Sequence, residues 1–352
     1  MIVLEIQDLH KQFAGSPDYA VKNFNVKVAQ GEIYGLLGES GCGKTTILRM
    51  ISGFEEPNKG YIRIYDKVVY DEQVFIQPEQ RGVGIVFQDY ALFPNKTVAE
   101  NIEFGLFMFS RQLRKQKTTE MIRITGLDGL GKRYPHELSG GQKQRVALAR
   151  ALAPEPRLIL MDEPFSNLDT LRKNQMREEV RTIIKNTGAT GIFVTHDTKD
   201  VLAIADRVSV IRQGLTLQAD TPGNMYNTPR NAYVAQFFGK TNVLAARVCE
   251  GGFNTPVGFI ASDTPLPPGT TEVMLSIRPE SLELADDEMN CVCGRVKSEN
   301  FTGEFKELIC TIKDINGKDI QLLVYAPPNQ HCHEDTCYIR PKDNTPPGIL
   351  DG

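Results

Sequence analysis

Hydrophobic positions fall into two textures along this chain. Up to about Gly239, short apolar runs such as Ile33 to Leu37, the LILM of RLILMDEP, and Ile192 to Thr195 alternate with stretches whose apolar residues recur every three or four positions. Runs of that length bounded by turn residues predict buried strands, and the wider period predicts helices packed on them. The opening MIVLEIQDL alternates like a strand, one helix is expected to begin near Lys44, and another to run through Val146, Ala149 and Leu152. Between Asp89 and about Leu138, the spacing of Val98, Ile102 and Leu106, then of Met121 and Ile124, predicts a largely helical segment. Such alternation predicts an α/β domain with a mainly parallel sheet. From Lys240 the helical period fades, and β-type segments at 242–248, 273–277, 308–312 and 320–325 are separated by Gly, Pro and Asp clusters. The expectation is two domains, 1–239 and 240–352, which suits 352 residues.

Composition narrows the functional classes. No apolar run approaches the roughly 20 residues of a membrane helix, and the first residues lack a basic start and a small-residue cleavage site, so a cytoplasmic protein is expected. A net charge of −4 gives no electrostatic reason for nucleic acid or anionic lipid as the main partner. Seven irregularly spaced cysteines do not describe a disulfide framework, and reduced thiols are expected.

Three segments carry chemistry. GESGCGKTT, Gly38 to Thr46, follows the strand at 33–37 and opens a helix. Small residues at Gly38, Ser40, Gly41, Cys42 and Gly43 let backbone N–H groups curl around a phosphate, and the helix start at Lys44, Thr45 and Thr46 adds its positive dipole end. In this pattern Lys44 holds the β and γ phosphates and the Thr45 hydroxyl binds Mg²⁺. RLILMDEP places Asp162 and Glu163 at the carboxyl end of a buried strand, where ligands gather. Asp162 suits the Mg²⁺ shell and Glu163 the activation of an attacking water. In LSGGQKQR, residues Ser139, Gly140, Gly141 and Gln142 begin a helix. Taken alone, SGGQ reads first as a capped helix start; beside one complete phosphate cradle, it also reads as a second anion site addressing ATP on a partner copy.

With these motifs together, the chain resembles the nucleotide-binding subunits of ATP-binding-cassette (ABC) transporters, whose shared sequence is LSGGQ, over residues 1 to about 239. The resemblance implies a P-loop NTPase with a RecA-like core, an antiparallel β subdomain and a helical subdomain at about 89–152, using ATP and Mg²⁺. It also implies roles that spacing alone does not assign. Gln88 in GIVFQDYALFP matches the glutamine that reaches Mg²⁺ and the attacking water, His196 in IFVTHD the switch histidine at the γ-phosphate, and Asp169 in SNLD the loop joining two active sites. Phe13 holds the position of the adenine-stacking aromatic, with Tyr19 as a rival platform. Glu39 and Asn167 depart from the residues common in close relatives without removing a functional group.

The implied machine is a head-to-tail homodimer, peripheral on the cytoplasmic face of the inner membrane, driving integral-membrane permease subunits served by a periplasmic solute-binding protein. The tail resembles the OB-like, all-β regulatory domain of importer ATPases, as a sensor or a dimerisation module. FQDYALFPNKTVAENIEFGL looks most like the ferric-ion import group of Gram-negative bacteria; sugar, sulfate, polyamine and phosphonate importers share the same mechanism. Cassette ATPases of DNA repair carry a coiled coil or zinc module between the P-loop and LSGGQ, and translation factors carry two cassettes; neither pattern occurs here. HCHEDTC, with His331, Cys332, His333 and Cys337, and CVC at Cys291 to Cys293 have ligand-type side chains but no standard finger spacing. Cys42, at a helix start, is expected to be thiolate-prone and open to alkylation that blocks turnover.

Overall fold

The computed structural model describes the chain except residues 169, 286–290, 331, 333–334, 344–346 and 352, and the side chains of 170 and 171. It divides into two compact units, Met1–Pro222 and Gly223–Gly352.

In the first unit the chain runs β1 (Ile2–Gln12), β2 (Tyr19–Ala29), β3 (Ile33–Leu37), α1 (Lys44–Ser52), β4 (Lys59–Ile64), β5 (Lys67–Tyr70) and β6 (Val83–Val86). It continues through α2 (Val98–Phe104), α3 (Arg111–Ile124), α4 (Gly140–Leu152), β7 (Leu158–Asp162), α5 (Thr170–Thr187), β8 (Thr190–Thr195), α6 (Thr198–Ile204), β9 (Arg207–Arg212) and β10 (Leu215–Asp220). Two sheets form among the described residues: an antiparallel one ordered β2-β1-β4-β5 and a mainly parallel one ordered β10-β9-β3-β8-β7-β6. One core joins them, with Leu4, Ile6 and Phe24 from the first sheet, Leu36, Leu160 and Val194 from the second, and Ile47 and Ile51 from α1. The parallel strands β3 and β8 are buried along their whole length, which is why they read as continuous apolar runs.

The 89–138 segment is α-helical only in α2 and α3, with one 3₁₀ turn at Pro135–Glu137. Thr97 and Glu100 form a reciprocal cap that starts α2, while Pro94, Gly105 and Gly126 stand in the turns around α2 and α3, and Pro135 opens the 3₁₀ turn as a first helical residue.

The second unit begins with α7 (Pro222–Asn227) and α8 (Ala232–Phe237), followed by β11 (Asn242–Cys249), β12 (Gly252–Thr255), β13 (Gly258–Ala261), β14 (Glu272–Ile277) and β15 (Leu282–Ala285). It ends with β16 (Val292–Phe301), β17 (Lys306–Lys313), β18 (Asp319–Ala326), β19 (Thr336–Pro341) and β20 (Gly348–Leu350). Its described strands form two antiparallel five-stranded sheets, ordered β13-β12-β11-β14-β20 and β15-β19-β16-β17-β18; five antiparallel strands are also the complement of an OB-like fold. By compactness the chain divides at Pro222, ahead of Gly239. The reason is the buried Arg278, whose guanidinium donates to the carbonyls of Tyr226, Ala235, Gly239 and Lys240 and so ties 223–240 to the β-rich body.

Candidate functional site

Four adjacent parallel strands end together. Leu37 pairs with Thr195, Asp162 with Val194, and Val86 with Met161. Four of the segments singled out in the sequence therefore leave the sheet at the carboxyl ends of its strands: the loop from Gly38 after β3, Gln88 after β6, Glu163 after β7 and His196 after β8. This is where open α/β sheets hold ligands.

The loop from Gly38 has little steric slack. Gly43 caps α1 with φ +109°, and a Cβ there would stand 2.2 Å from the Ala20 carbonyl oxygen. A Cβ on Gly38 would stand 2.2 Å from the Ile211 carbonyl oxygen and 2.7 Å from Cys42 Sγ. Gly41, at φ +82°, is open on the protein side. Lys44 is 5 % exposed, and its ammonium donates to the carbonyls of Gly38 and Glu39 at 2.8 Å each. Ser40 and Gly41 sit exposed at the tip, and Thr46 lies on the first turn of α1.

Thr45 Oγ1 donates to Asp162 Oδ1 at 3.3 Å. Burial raises the Asp162 carboxyl above its ordinary value, reinforced by the neighbouring Glu163 and opposed by the Thr45 hydrogen bond. A desolvated carboxylate beside a hydroxyl is a hard-oxygen donor pair that fits Mg²⁺, which prefers a few carboxylate and hydroxyl oxygens completed by phosphate and water.

Glu163 adopts φ +44°, uncommon for a residue with a side chain, and is held there by its own N–H donating to Val194 O at 3.0 Å. Its carboxylate lies between two predicted partners. His196 Nδ1 is 3.1 Å from Glu163 Oε1, and Gln88 Nε2 donates a long bond of 3.5 Å to Glu163 Oε2. The residues that spacing alone could not connect are thus adjacent.

Asn167, passed over in the sequence as a mild departure, donates from Nδ2 to the Gln88 carbonyl at 2.7 Å and so anchors the backbone of Gln88. Asp169 lies outside the described residues.

Ser139, Gly140, Gly141 and Gln142 form the capped start of α4. The Ser139 hydroxyl accepts from Gln142 N–H at 3.4 Å, and Gln142 Oε1 accepts from Ser139 N–H at 3.0 Å. A Cβ on Gly141 would stand 2.6 Å from Met176 Cε, the end of a flexible side chain that would have to move aside. No hydrogen bond among the described residues joins this segment to the Gly38–Thr46 loop of the same chain.

Phe13 and Tyr19 are both partly exposed. Lys11 Nζ sits 5.2 Å from the Phe13 ring centroid, while Tyr19 packs edge-on against His10 at 5.8 Å. Tyr19 opens β2 directly before Ala20, whose carbonyl faces Gly43, so both aromatics stand as candidate platforms.

Cys42 departs from expectation. Its side chain is buried, 6 % exposed, with the sulfur 3.6 Å from Lys44 Nζ and tucked behind Gly38, so reagents have little access while the loop keeps this form. Of the other cysteine-rich segment, His331 and His333 lie outside the described residues. Burial and the adjacent Cys337 push the Cys332 thiol up to about 11, and the contact with Cys310 followed by burial raises that of Cys337.

Comparison with known proteins agrees with this geometry. The family described as ABC transporter matches residues 21–166. A spermidine/putrescine import ATP-binding protein (PotA) of Pseudomonas fluorescens is 41 % identical over 301 residues, 81 % of this chain and 80 % of the relative. An Fe(3+) ions import ATP-binding protein (FbpC) of the same species is 44 % identical over 289 residues, 82 % of this chain and 80 % of the relative. Among solved structures, the dimeric post-hydrolysis state of the ATP-binding cassette MJ0796 bound to ADP and Pi superposes with a TM-score of 0.54 at 29 % identity, covering 62 % of this chain and 98 % of that one. With a complete phosphate-type loop, the paired acids at the end of β7 and relatives matched over most of their length, this chain belongs to the ABC transporter family, as an ATP-binding subunit of the importer type.

Proposed function

We propose that the chain hydrolyses ATP as a head-to-tail homodimer on the cytoplasmic face of the inner membrane, driving uptake through permease subunits, with ferric iron as the transported solute. The observation that carries the hydrolytic reading is the Glu163 carboxylate held between His196 and Gln88 at the shared strand edge that also holds Lys44. In this reading the amides of Ser40, Gly41, Gly43 and Thr46, together with Cys42 N–H, cradle phosphate, and Lys44 supplies the point charge. Thr45, Asp162 and Gln88 would hold Mg²⁺, which neutralises charge on the phosphate oxygens. Glu163 takes up the proton of the attacking water, and His196 contacts the γ-phosphate.

Ser139, Gly140, Gly141 and Gln142 of one copy meet the ATP held by the other, with Asp169 joining the two sites and Phe13, or Tyr19, stacking on adenine. That no hydrogen bond among the described residues joins them to the Lys44 loop of the same chain, and that a solved relative is a dimer bound to ADP and Pi, support the composite site. Binding closes the dimer and hydrolysis releases it, a population shift driven by the γ-phosphate. Among the described residues no helix is long and apolar enough to cross a membrane, which accords with separate permease subunits fed by a periplasmic solute-binding protein. The α2–α3 region, with exposed Phe104, Phe107 and Met108, is the surface offered to them. Residues 1–239 serve as the nucleotide-binding domain and 240–352 as the regulatory or dimerisation domain.

Iron rests on the likeness of FQDYALFPNKTVAENIEFGL to the ferric-ion import group and on the 44 % identical ferric relative, and polyamine relatives at 41 % and 46 % identity support polyamine uptake as the second reading. The test is uptake of radiolabelled ferric iron, with a sugar, sulfate and a polyamine as comparators, in cells carrying this chain or its Glu163→Gln variant. Selective loss of iron uptake is expected. Loss of another solute instead overturns iron and keeps the ATPase, and unchanged uptake of all four overturns the import reading for these solutes.

A further inference from the structure

His196 has an exposed ring, and its one hydrogen-bond partner among the described residues is Glu163. The ring does not fix itself, so its position depends on the backbone at 195–197. That backbone is held by a buried network on both sides. Thr195 Oγ1 donates to Asp200 Oδ2 at 2.5 Å and accepts from Asp197 N–H at 3.0 Å, and Asp197 Oδ1 caps α6 by accepting from Lys199 N–H at 2.9 Å. Both carboxylates converge on one guanidinium. Arg177, on α5 and 3 % exposed, donates from Nε to Asp200 Oδ1 at 2.7 Å, from Nη2 to Asp197 Oδ2 at 2.8 Å, and from Nη1 to Asn174 Oδ1 at 2.8 Å.

We infer that Arg177 is a positioning residue for His196, its planar fork clamping Asp197 and Asp200 so that the histidine between Thr195 and Asp197 meets the Glu163 carboxylate. The three N–H donors of a lysine sit tetrahedrally on one rotatable nitrogen and cannot match the planar, fixed fork with which the guanidinium meets its three acceptors. The clamp also spans two elements: α5 follows the segment that carries Glu163 and Asn167, and α6 follows His196. Arg177 thereby fixes the separation of the groups on either side of the attacked phosphate. It touches neither nucleotide nor water in this scheme, so its effect passes through His196.

This inference rests on the hydrolytic reading of the site, and that reading is checked separately by whether the full chain turns over Mg·ATP and Glu163→Gln does not. The test of the clamp is kcat and KM for the full chain carrying Arg177→Lys, which keeps a cation beside Asp200, or Asp197→Ala, which cuts the more exposed limb. Each is measured with and without His196→Ala in the steady state, with the single-turnover rate at saturating ATP alongside. Both substitutions should lower kcat on the order of 10- to 100-fold, as a displacement of up to an ångström does, with KM for ATP within about 2-fold because the Lys44 loop is untouched. Added to His196→Ala they should cost nothing further, since groups acting through one another are non-additive. Deficits that multiply with that of His196→Ala, or wild-type kcat in both variants, overturn the inference.

Discussion

Replacing Gly43 with alanine should damage the protein more than the same change at Gly41, two residues earlier in the same loop. Both glycines hold left-handed backbone, φ +109° and +82°, so an added Cβ costs about 1–2 kcal/mol at either from backbone strain alone. Both changes also narrow the unfolded ensemble similarly, and that term cancels between them. The surroundings differ. At Gly41 no protein atom lies within 4 Å of the built Cβ, whereas at Gly43 it would stand 2.2 Å from the Ala20 carbonyl and 3.4 Å from Val21 Cγ2, against the 3.0 Å that real Cβ atoms respect. The Ala20 carbonyl belongs to β2 and cannot rotate away, so α1 or β2 must shift, adding about 1–3 kcal/mol as overpacking does. For a unit of this size each kcal/mol lowers Tm by about 2–4 °C, so Gly43→Ala should melt on the order of 5 °C below Gly41→Ala in nucleotide-free scanning calorimetry. The same shift carries Lys44, whose N-cap is Gly43, and should lower turnover about 100-fold. Equal Tm for the two variants would refute the steric argument.

Other outcomes follow from the same coordinates. Asp162→Asn should raise the nucleotide-free Tm at pH 7 while abolishing turnover: burial raises this carboxyl, so its ionised form opposes folding, and a lower Tm contradicts the assignment. Glu5 accepts hydrogen bonds from Arg63, Lys27 and Gln7, which lower its carboxyl from 4.5 to about 2. Its contribution is therefore fully present above about 4.5 and lost as pH falls through about 2; the Tm gap between wild type and Glu5→Gln should be constant from pH 7 to 5, narrow below about 4.5 and close near 2. Maleimide should label the exposed Cys249 and Cys293 well before the buried Cys42, and mass mapping that finds Cys42 first would mean that the loop opens readily.

What the sequence made legible was local. The Lys44 loop, the acids after β7 and the Ser139 helix start each announce themselves within about nine consecutive residues, and their flanking strands are buried enough to read as apolar runs. Gln88 and His196 were reached only through the family resemblance, because a polar residue after a strand has no distinguishing pattern. Their meeting at Glu163 is a property of sheet order. β16 was harder to see, since exposed polar residues such as Lys297, Ser298 and Glu299 break the alternation. Arg177 lies 20 positions from Asp197 and 23 from Asp200, a separation at which nothing but the fold reveals a contact. Asn167 stands out in the sequence only as a departure that removes no functional group, and its bond to the Gln88 backbone appears only when β6 and β7 are adjacent. Cys42 was read from its helix start, while its burial depends on the packing of Gly38 against β9 at Ile211.

The central claim, that Glu163 at this strand edge drives ATP hydrolysis, is tested most directly by phosphate release from the full chain and its Glu163→Gln variant at saturating Mg·ATP. Loss of the proton acceptor should slow release by about 10²- to 10⁴-fold, with ATP still bound because the Lys44 loop is intact. Phosphate release from the variant at the wild-type rate would contradict the account.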